Sequence, residues 1–355
     1  MVIPLGTCPV TVMEYGAIDL HTKESEIRII EAGGGVVLER RIATTRERLT
    51  AVFGSRPPMR VLLESGTGSE WVAQHLEGFG HEVVVADPNY TPMYGSRTRR
   101  IKTDRRDVAA LAEANRRGVY RRAHRVSAAQ RDIRRRLRVR DQLVHVRRQA
   151  INLLRAQLRA EGVRVATGAA ETFVERFERS AVSPATRAAM APLRELLAAV
   201  APLITRAEQW TRSAAGADVV TRRLMTAPGV GPVIALAYRA TIDDVGRFTA
   251  PGAVASYLGL VPREDSSGER QRKGAITKAG PSRMRVLLIQ SAWHVWRSPR
   301  GSAALHAWAR RLADRRGRRI AVVAVARRLA RILWAMWRDA ADFDAGRLGR
   351  CRVAA

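Results

Sequence analysis

The chain has 355 residues, and its 62 Lys and Arg against 33 Asp and Glu give it a formal net charge of +29. Hydrophobic residues make up 46% of the sequence, which excludes global disorder and allows a sizeable core in two or three domains. The basic excess predicts a polyanionic partner, of which nucleic acid is the commonest.

A membrane partner is not expected. The sequence has no signal-peptide pattern, and Arg327, Arg328 and Arg331 interrupt its best apolar run. Cys8 and Cys351 lie at opposite ends, and two such cysteines make neither a disulfide framework nor a zinc site. This usage is typical of a reducing cytoplasm, and a protein this basic is expected at the nucleoid.

The first 120 residues are predicted to alternate strands and helices. Three short β-branched runs come first, and two further strands follow, each after a helix. The resulting order, β-β-β-α-β-α-β-α, is that of the ribonuclease-H-like fold, in which the first and fourth strands are neighbours. The predicted strands are 15–20, 26–30, 36–42, 60–64 and 82–86, and the helices are 46–53, 69–78 and 103–117.

Four carboxylates lie at ends of these elements. Asp19 ends the first predicted strand and Glu64 the fourth, so the two are expected side by side. Asp104 and Asp107 are three residues apart and share one face of a helix. Converging carboxylates suit Mg²⁺ or Mn²⁺, and two such ions about 4 Å apart can stabilise the entering and leaving oxygens of a phosphodiester displacement.

Residues 127–160 are predicted to form a basic helix, apolar on one side and covered by arginine elsewhere. Residues 95–160 hold 21 basic and five acidic residues, so +16 of the net +29 lies in this stripe. Arg134 and Arg138 are its candidate nucleic-acid contacts.

A second helical stretch, 170–214, is predicted in two pieces separated near Ser183. The pair could dimerise, bind nucleic acid or do both, and a plain solvated bundle is the alternative.

Gly229 and Gly231 lie in a P-G-V-G-P turn before a predicted helix at 233–240. Two glycines in such a turn expose backbone N–H groups that can hold a phosphate, as in helix-hairpin-helix modules. A merely structural turn is the alternative.

Ser267 precedes Gly268 in a polar segment that we expect to be a flexible basic loop. A serine there can act as a nucleophile towards a phosphate, and nearby cations would stabilise the transition state. Ser266 is the competing candidate, and an ordinary surface loop is the alternative. The cations are Arg270, Arg272, Lys273 and Lys278.

Motifs in both halves of the chain resemble the DEDD transposases of the insertion sequence 110 family, which includes pilin-gene-inverting recombinases. The N-terminal half has E-S-G-T-G at 64–68, G-H-E-V-V at 80–84 and K-T-D-R-R-D-V-A at 102–109. The C-terminal half has Y-L-G-L-V-P-R at 257–263, S-G at 267–268 and G-A-I-T-K-A-G at 274–280.

The resemblance implies an α/β plus α protein with three parts. These are a RuvC-like (ribonuclease-H-like) domain at 1–125, a basic coiled-coil arm at 126–220, and a mainly helical C-terminal transposase domain at 221–355 with a helix-hairpin-helix-like element. It implies that Asp19, Glu64, Asp104 and Asp107 bind Mg²⁺, and that Ser267 forms a covalent 5′-phosphoserine with DNA. It also implies a homo-oligomer, a dimer or tetramer, in which one subunit's acids meet another's serine. A bridge RNA would pair with target and donor DNA.

Two other functions fit the same residues. A RuvC-like structure-specific endonuclease would use water as the nucleophile, and its C-terminal domain would only bind. A non-catalytic nucleic-acid-binding protein would use the arginine stripe and need none of the four acids.

Overall fold

The structure, a computed structural model, describes residues 13–95, 103–267 and 270–346. It divides into two compact units, Met1–Arg125 and Val126–Ala355. The further division at residue 220 into arm and transposase domain stays a prediction. Cys8 and Cys351 lie outside the described residues.

The first unit is built on a five-stranded mixed sheet with the order β3-β2-β1-β4-β5. β1 runs parallel to β4 and β4 parallel to β5, whereas β2 is antiparallel to both of its neighbours. This sheet is consistent with a ribonuclease-H-like domain, and the predicted pairing of the first and fourth strands is confirmed. The strands are β1 Glu14–Leu20, β2 Glu24–Glu31, β3 Val36–Ala43, β4 Arg60–Glu64 and β5 Glu82–Ala86.

Helices cover both faces of this sheet. They are α1 Arg46–Phe53, α2 Ser69–Glu77 and α3 Asp104–Arg117. Side chains alternate between the faces of a strand, so Ile18 and Leu63 face one core and Ala17 and Leu62 the other. The first core contains residues of α1 and α2, and the second contains residues of α3. The sheet therefore fixes α3 on the opposite face from the other two helices.

Asn115 joins α3 to the two central strands. Its side chain is fully buried, and Nδ2 donates to the carbonyl of Gly16 in β1 and that of Arg60 in β4, both at 2.8 Å. A buried amide is stable only where its polar atoms find partners. These two bonds set the position of α3 against β1 and β4.

The second unit is mainly helical. Its longest helix, α4, packs on α7 and α9, and the main core includes the fully buried Leu236 of α9, Leu288 of α11 and Trp334 of α13. Within the described ranges, no helix meets the length and hydropathy required to cross a bilayer. The helices are α4 Ala128–Ala160, α5 Phe173–Glu178, α6 Pro184–Ala189, α7 Ala191–Ala217, α8 Val219–Leu224, α9 Pro232–Ile242, α10 Pro251–Tyr257, α11 Ser282–Arg297, α12 Ala303–Arg316 and α13 Arg318–Arg338.

The stretch predicted as two helical pieces between 170 and 214 forms three helices. The predicted break near Ser183 is present, because this serine caps α6 and Pro184 occupies its first turn. A second break at Met190 separates α6 from α7. Neither glycine nor a turn motif marks Met190, so the sequence pattern gave no signal for it.

The polar segment after Val261 is not a flexible loop, as the sequence suggested, but an antiparallel ribbon. β6 Pro262–Ser267 pairs with β7 Arg270–Ile276. The segment lacks the apolar alternation that indicates a strand, so its pattern favoured a loop. In the observed register Glu264 lies opposite Lys273 and Asp265 opposite Arg272.

Candidate active site

Asp19 and Glu64 lie at the carboxyl ends of the two central parallel strands. Ile18 pairs with Leu63 in the β1–β4 register, so the next residue of each strand carries one of the two carboxylates. The hydroxyl of Tyr94 donates a hydrogen bond to Oε1 of Glu64. The expected pair of acids therefore lies at one edge of the sheet.

The first turns of α3 bring two more carboxylates to this edge. Thr103 caps the helix by accepting a hydrogen bond from the backbone N–H of Arg106 at 3.4 Å. Asp104 and Asp107 follow in the first turns, where the partial positive charge of a helix N-terminus stabilises anions. Asp107 is 5% exposed, whereas the Asp104 side chain is 47% exposed. One acid of the pair thus faces solvent and the other does not.

Electrostatics place Asp19 at the centre of the group. Its pKa is raised above the ordinary value of 3.8, first because burial disfavours the charged form. His21 lowers the pKa of Asp19, whereas the negative charges of Glu64, Asp107 and Asp104 each raise it. The other three sequence-predicted acids therefore all act on Asp19. Such a group of carboxylates lacks positive charge, and a divalent cation would supply it.

The sequence analysis missed two residues at this site. His21 lies just after β1, and its Nε2 is 3.5 Å from Oδ2 of Asp19 and 3.7 Å from Oδ1 of Asp104. Tyr94, in a short 3₁₀ helix at Thr91–Tyr94, holds Glu64. His21 could have been found from its position two residues after Asp19, whereas no local pattern points to Tyr94.

In the second unit, the P-G-V-G-P turn joins α8 to α9 and packs against α11. Gly229 has φ +73°, and a Cβ there would lie 2.9 Å from both the carbonyl oxygen and Oγ of Ser291. Gly231 caps α9 and has open space where a side chain would be. A cavity of about 420 Å³ is lined by this turn and by Ser291 and His294. Gly229 is thus required by packing, and phosphate binding by the turn stays a prediction.

The base of the β6–β7 ribbon is tightly braced. Gly259 and Gly280 have φ of +64° and +66°, and a Cβ on either would lie within 2.3 Å of a backbone carbonyl oxygen, of Ala279 and Tyr257 respectively. The buried Arg285 donates to the carbonyls of Leu258 at 3.0 Å and Ala279 at 2.7 Å. These contacts fix the backbone at the base of the ribbon.

The ribbon carries the predicted nucleophile at its tip. Ser267 is the last residue of β6 and is paired in register with Arg270, and Ser266 with Gln271. Arg272 and Lys273 lie further along β7, and the exposed Lys278 follows the strand with φ +57°. The tip residues Gly268 and Glu269 lie outside the described residues, as do the side chains at 265–273.

The arginines of α4 are largely engaged within the chain. Arg134 donates to the carbonyls of Ala240 at 2.8 Å and Thr241 at 3.3 Å, at the end of α9. Arg135 and Arg136 share Asp132, and Arg140 pairs with Glu208. Arg138, in contrast, is exposed. The dense charge of the stripe is therefore partly neutralised by its own neighbours.

A second basic surface lies where α12 meets α13, outside the stripe singled out from sequence. Six of the ten residues from 310 to 319 are exposed arginines, with Asp314 the single acid. None of the six forms an ion pair with any described residue. Arg310 instead lies 4.0 Å from the ring centroid of Trp296, and Arg318 lies 5.6 Å from that of Trp293. We call these residues, Arg310, Arg311, Arg315, Arg316, Arg318 and Arg319, the α12–α13 arginine cluster.

Comparisons with known proteins match transposase families in both the N-terminal and the C-terminal part of the chain. The family model described as "Transposase IS116/IS110/IS902 family" matches residues 221–307, and the IS110-type DEDD model, described as "Transposase", matches residues 17–161. A "Probable family 20 transposase" of Pseudomonas aeruginosa is 31% identical over 90% of this chain and 95% of its own length. Transposases for the insertion sequence elements IS1111A of Coxiella burnetii and IS1328 of Yersinia enterocolitica are 29% and 27% identical. They match 90% and 89% of this chain and 88% and 94% of their own lengths.

Proposed function

Since this chain belongs to the IS110 family of DEDD transposases and is a DNA transposase, we propose that it cleaves and rejoins DNA strands through a covalent 5′-phosphoserine. The observation that carries the proposal is the convergence of four carboxylates around Asp19. Such a centre suits phosphodiester chemistry on DNA, and the serine supplies the nucleophile.

Asp19, Glu64, Asp104 and Asp107 would hold Mg²⁺ or Mn²⁺. The donor set fits, because it offers several carboxylate oxygens. Burial also removes water that would otherwise stabilise the negative charge of Asp19. When bound, the cations supply charge stabilisation for the entering and leaving oxygens of the displacement. Tyr94 keeps Glu64 in place, and Asn115 fixes α3 so that Asp104 and Asp107 stay against the sheet.

Ser267 is the proposed nucleophile. Its Oγ loses a proton and forms a bond to phosphorus, the bond from phosphorus to the 3′ oxygen breaks, and the 3′ oxygen takes up a proton. A 3′ hydroxyl of another strand then attacks the phosphoserine and releases the serine. The number of phosphoester bonds is unchanged, so strand exchange needs no high-energy cofactor. Arg270, Arg272, Lys273 and Lys278 would stabilise the charge that develops at phosphorus.

The test is a denaturation-resistant adduct between the protein and DNA carrying element ends. The wild-type protein should form it with Mg²⁺, and S267A should not, while both bind the DNA equally. S266A is the matched control and should retain the adduct. An adduct that persists in S267A and disappears in S266A moves the role to Ser266. DNA cleavage without any adduct identifies a metal-dependent endonuclease that uses water.

We also propose that the catalytic centre is shared between subunits of a dimer or tetramer, the acids coming from one and the serine from another. D104N and S267A proteins, each inactive alone, should then recover adduct formation when mixed. D104N mixed with D107N is the control and should stay inactive, since both lesions lie in one carboxylate centre. A mixture of D104N and S267A that stays inactive would mean that each subunit supplies a complete site.

The proposed second nucleic-acid partner is a bridge RNA that pairs with target and donor DNA. The amount of unpaired basic surface supports a polyanion beyond the cleaved DNA itself. The DNA flanking the gene checks this: it should contain a structured noncoding stretch with short matches to the insertion site. A protein with these partners works at the nucleoid in the cytoplasm.

A further inference from the structure

His21 lies within the carboxylate centre but is not one of its four acids. Its Nε2 is 3.5 Å from Asp19 Oδ2 and 3.7 Å from Asp104 Oδ1. One donor atom from each of these three residues lies within 4.8 Å of the other two. Octahedral ligands at about 2.1 Å from a cation lie roughly 3.0 Å apart when adjacent and roughly 4.2 Å when opposite. The three donors therefore already have a spacing close to that of ligands sharing one ion.

The backbone at His21 is anchored independently of any ion. Thr44, just after β3, donates from Oγ1 to the carbonyl of His21 at 2.9 Å, and its N–H donates to the carbonyl of Lys23 at 2.9 Å. The Thr44 hydroxyl also lies 2.7 Å from that of Ser25. These bonds hold the turn after β1 against the end of β3. The half-exposed imidazole of His21, in this turn, lies next to Asp19 and Asp104.

On the basis of the proposed carboxylate centre, we infer that His21 is a nitrogen ligand of the cation held by Asp19 and Asp104, and that it gives this position a preference for Mn²⁺ over Mg²⁺. Mg²⁺ prefers oxygen ligands, whereas an imidazole nitrogen raises the affinity of a site for transition metals. The centre then has two different positions. The solvent-facing one contains nitrogen, and the one towards the buried Asp107 offers oxygen alone.

The inference is tested on the full-length protein with Mn²⁺ as the probe. Pulsed electron paramagnetic resonance of the bound Mn²⁺ should show coupling to ¹⁴N in the wild-type protein, and H21Q should abolish it. Mn²⁺ affinity should fall about tenfold in H21Q, in the range found when groups supporting a metal site are removed. Mg²⁺ affinity, measured by competition, should change less than about twofold. H75Q is the control, because His75 lies on α2 and bonds to Thr50 and Arg46, so it should retain the ¹⁴N coupling.

The failure of this inference and that of the proposed function give different results. Mn²⁺ that binds the wild-type protein without ¹⁴N coupling, or with coupling that survives in H21Q, overturns the role of His21 and leaves the carboxylate centre intact. A parallel loss of Mg²⁺ and Mn²⁺ affinity in H21Q overturns the selectivity. If D19N binds Mn²⁺ as tightly as the wild-type protein, the carboxylate centre itself is wrong.

Discussion

At the scale of single residues, Asp19 shows how the candidate active site lowers the stability of the fold. Its side chain is 13% exposed and surrounded by three other carboxylates. A carboxyl whose folded pKa lies above its unfolded value binds its proton more tightly when folded, so the ionised form destabilises the fold. This destabilisation is absent at pH values below the unfolded pKa of Asp19. It reaches its full size once the pH exceeds the folded pKa of Asp19.

D19N should therefore stabilise the metal-free protein. At neutral pH and in the presence of a chelator, we expect the Tm of D19N to exceed that of the wild-type protein by several degrees. The difference should shrink as the pH falls through the folded pKa of Asp19 towards 3.8. Added Mg²⁺ should raise the Tm of the wild-type protein and leave that of D19N nearly unchanged.

Thermal unfolding of D132N provides the comparison. Asp132 is a half-exposed acid on α4 that pairs with two arginines, so its replacement should not raise the Tm. An equal or lower Tm for D19N at neutral pH would show that charge repulsion at the centre is already compensated within the protein.

Residue identities at the site were predictable to different degrees. Asp19, Glu64 and the Asp104–Asp107 pair lie at ends of elements that the hydrophobic pattern locates, so the sequence pointed to them. Tyr94 reaches Glu64 across 30 positions, and Asn115 reaches Gly16 across 99. Contacts at such separations depend on packing that no local pattern encodes.

At the scale of secondary-structure elements, Asn115 connects α3 to the central strands β1 and β4. Its Oδ1 is buried and accepts no hydrogen bond from the described residues. A buried polar atom without a partner is costly, so the two bonds from Nδ2 must offset that cost. The amide is thus placed to connect α3 to β1 and β4 at a point remote from the carboxylates.

Replacing this amide should destabilise the fold and weaken metal binding at the candidate site. N115A leaves the carbonyls of Gly16 and Arg60 without their donor, and we expect a loss of about 2–4 kcal/mol in the free energy of unfolding. Urea denaturation measures the loss, and Mn²⁺ titration should show weaker binding because α3 carries two of the acids. N152A is the control, since Asn152 is exposed on α4 and should cost less than about 0.5 kcal/mol. A loss in N115A no larger than in N152A would show that packing alone holds α3.

Strands and helices were predicted well where their apolar period was clear. β4 and β5 are short buried runs between turn signals, and their observed bounds are the predicted ones. In the sequence, the β6–β7 segment shows neither alternation of apolar and polar residues nor a continuous apolar run, so its pattern does not indicate strands. Backbone pairing between the two strands and the contacts of Gly259, Gly280 and Arg285 at their base form only in the folded chain.

At the scale of the whole molecule, the net charge of +29 is not evenly available to a partner. Much of the arginine on α4 is bound to acids or carbonyls, whereas the α12–α13 arginine cluster has no ion pair among the described residues. Free arginines can neutralise phosphates and release their counterions. The total charge follows from composition alone, but only the folded structure separates paired arginines from unpaired ones.

Removing two arginines from the α12–α13 arginine cluster should therefore lower DNA affinity more than removing two arginines from α4. R315A/R316A should lower duplex DNA affinity by about tenfold near physiological salt, and should reduce the slope of log affinity against log salt by about 1.8. R135A/R136A removes the same charge from α4, where both arginines share Asp132, and should have the smaller effect. Fluorescence anisotropy over a range of salt concentrations measures both. Equal losses in the two variants would show that DNA senses only the overall charge.

The brace at the base of the β6–β7 ribbon has a mechanical consequence. Ser267 is five residues beyond Pro262, so at about 3.4 Å per residue it stands about 17 Å from the fixed end. A rotation of only about 3° at the base then displaces the hydroxyl-bearing residue by about 1 Å, a misplacement that can cost about a hundredfold in rate. The ribbon is in effect a cantilever, and the position of its free end depends on how firmly Gly259, Gly280 and Arg285 hold its base.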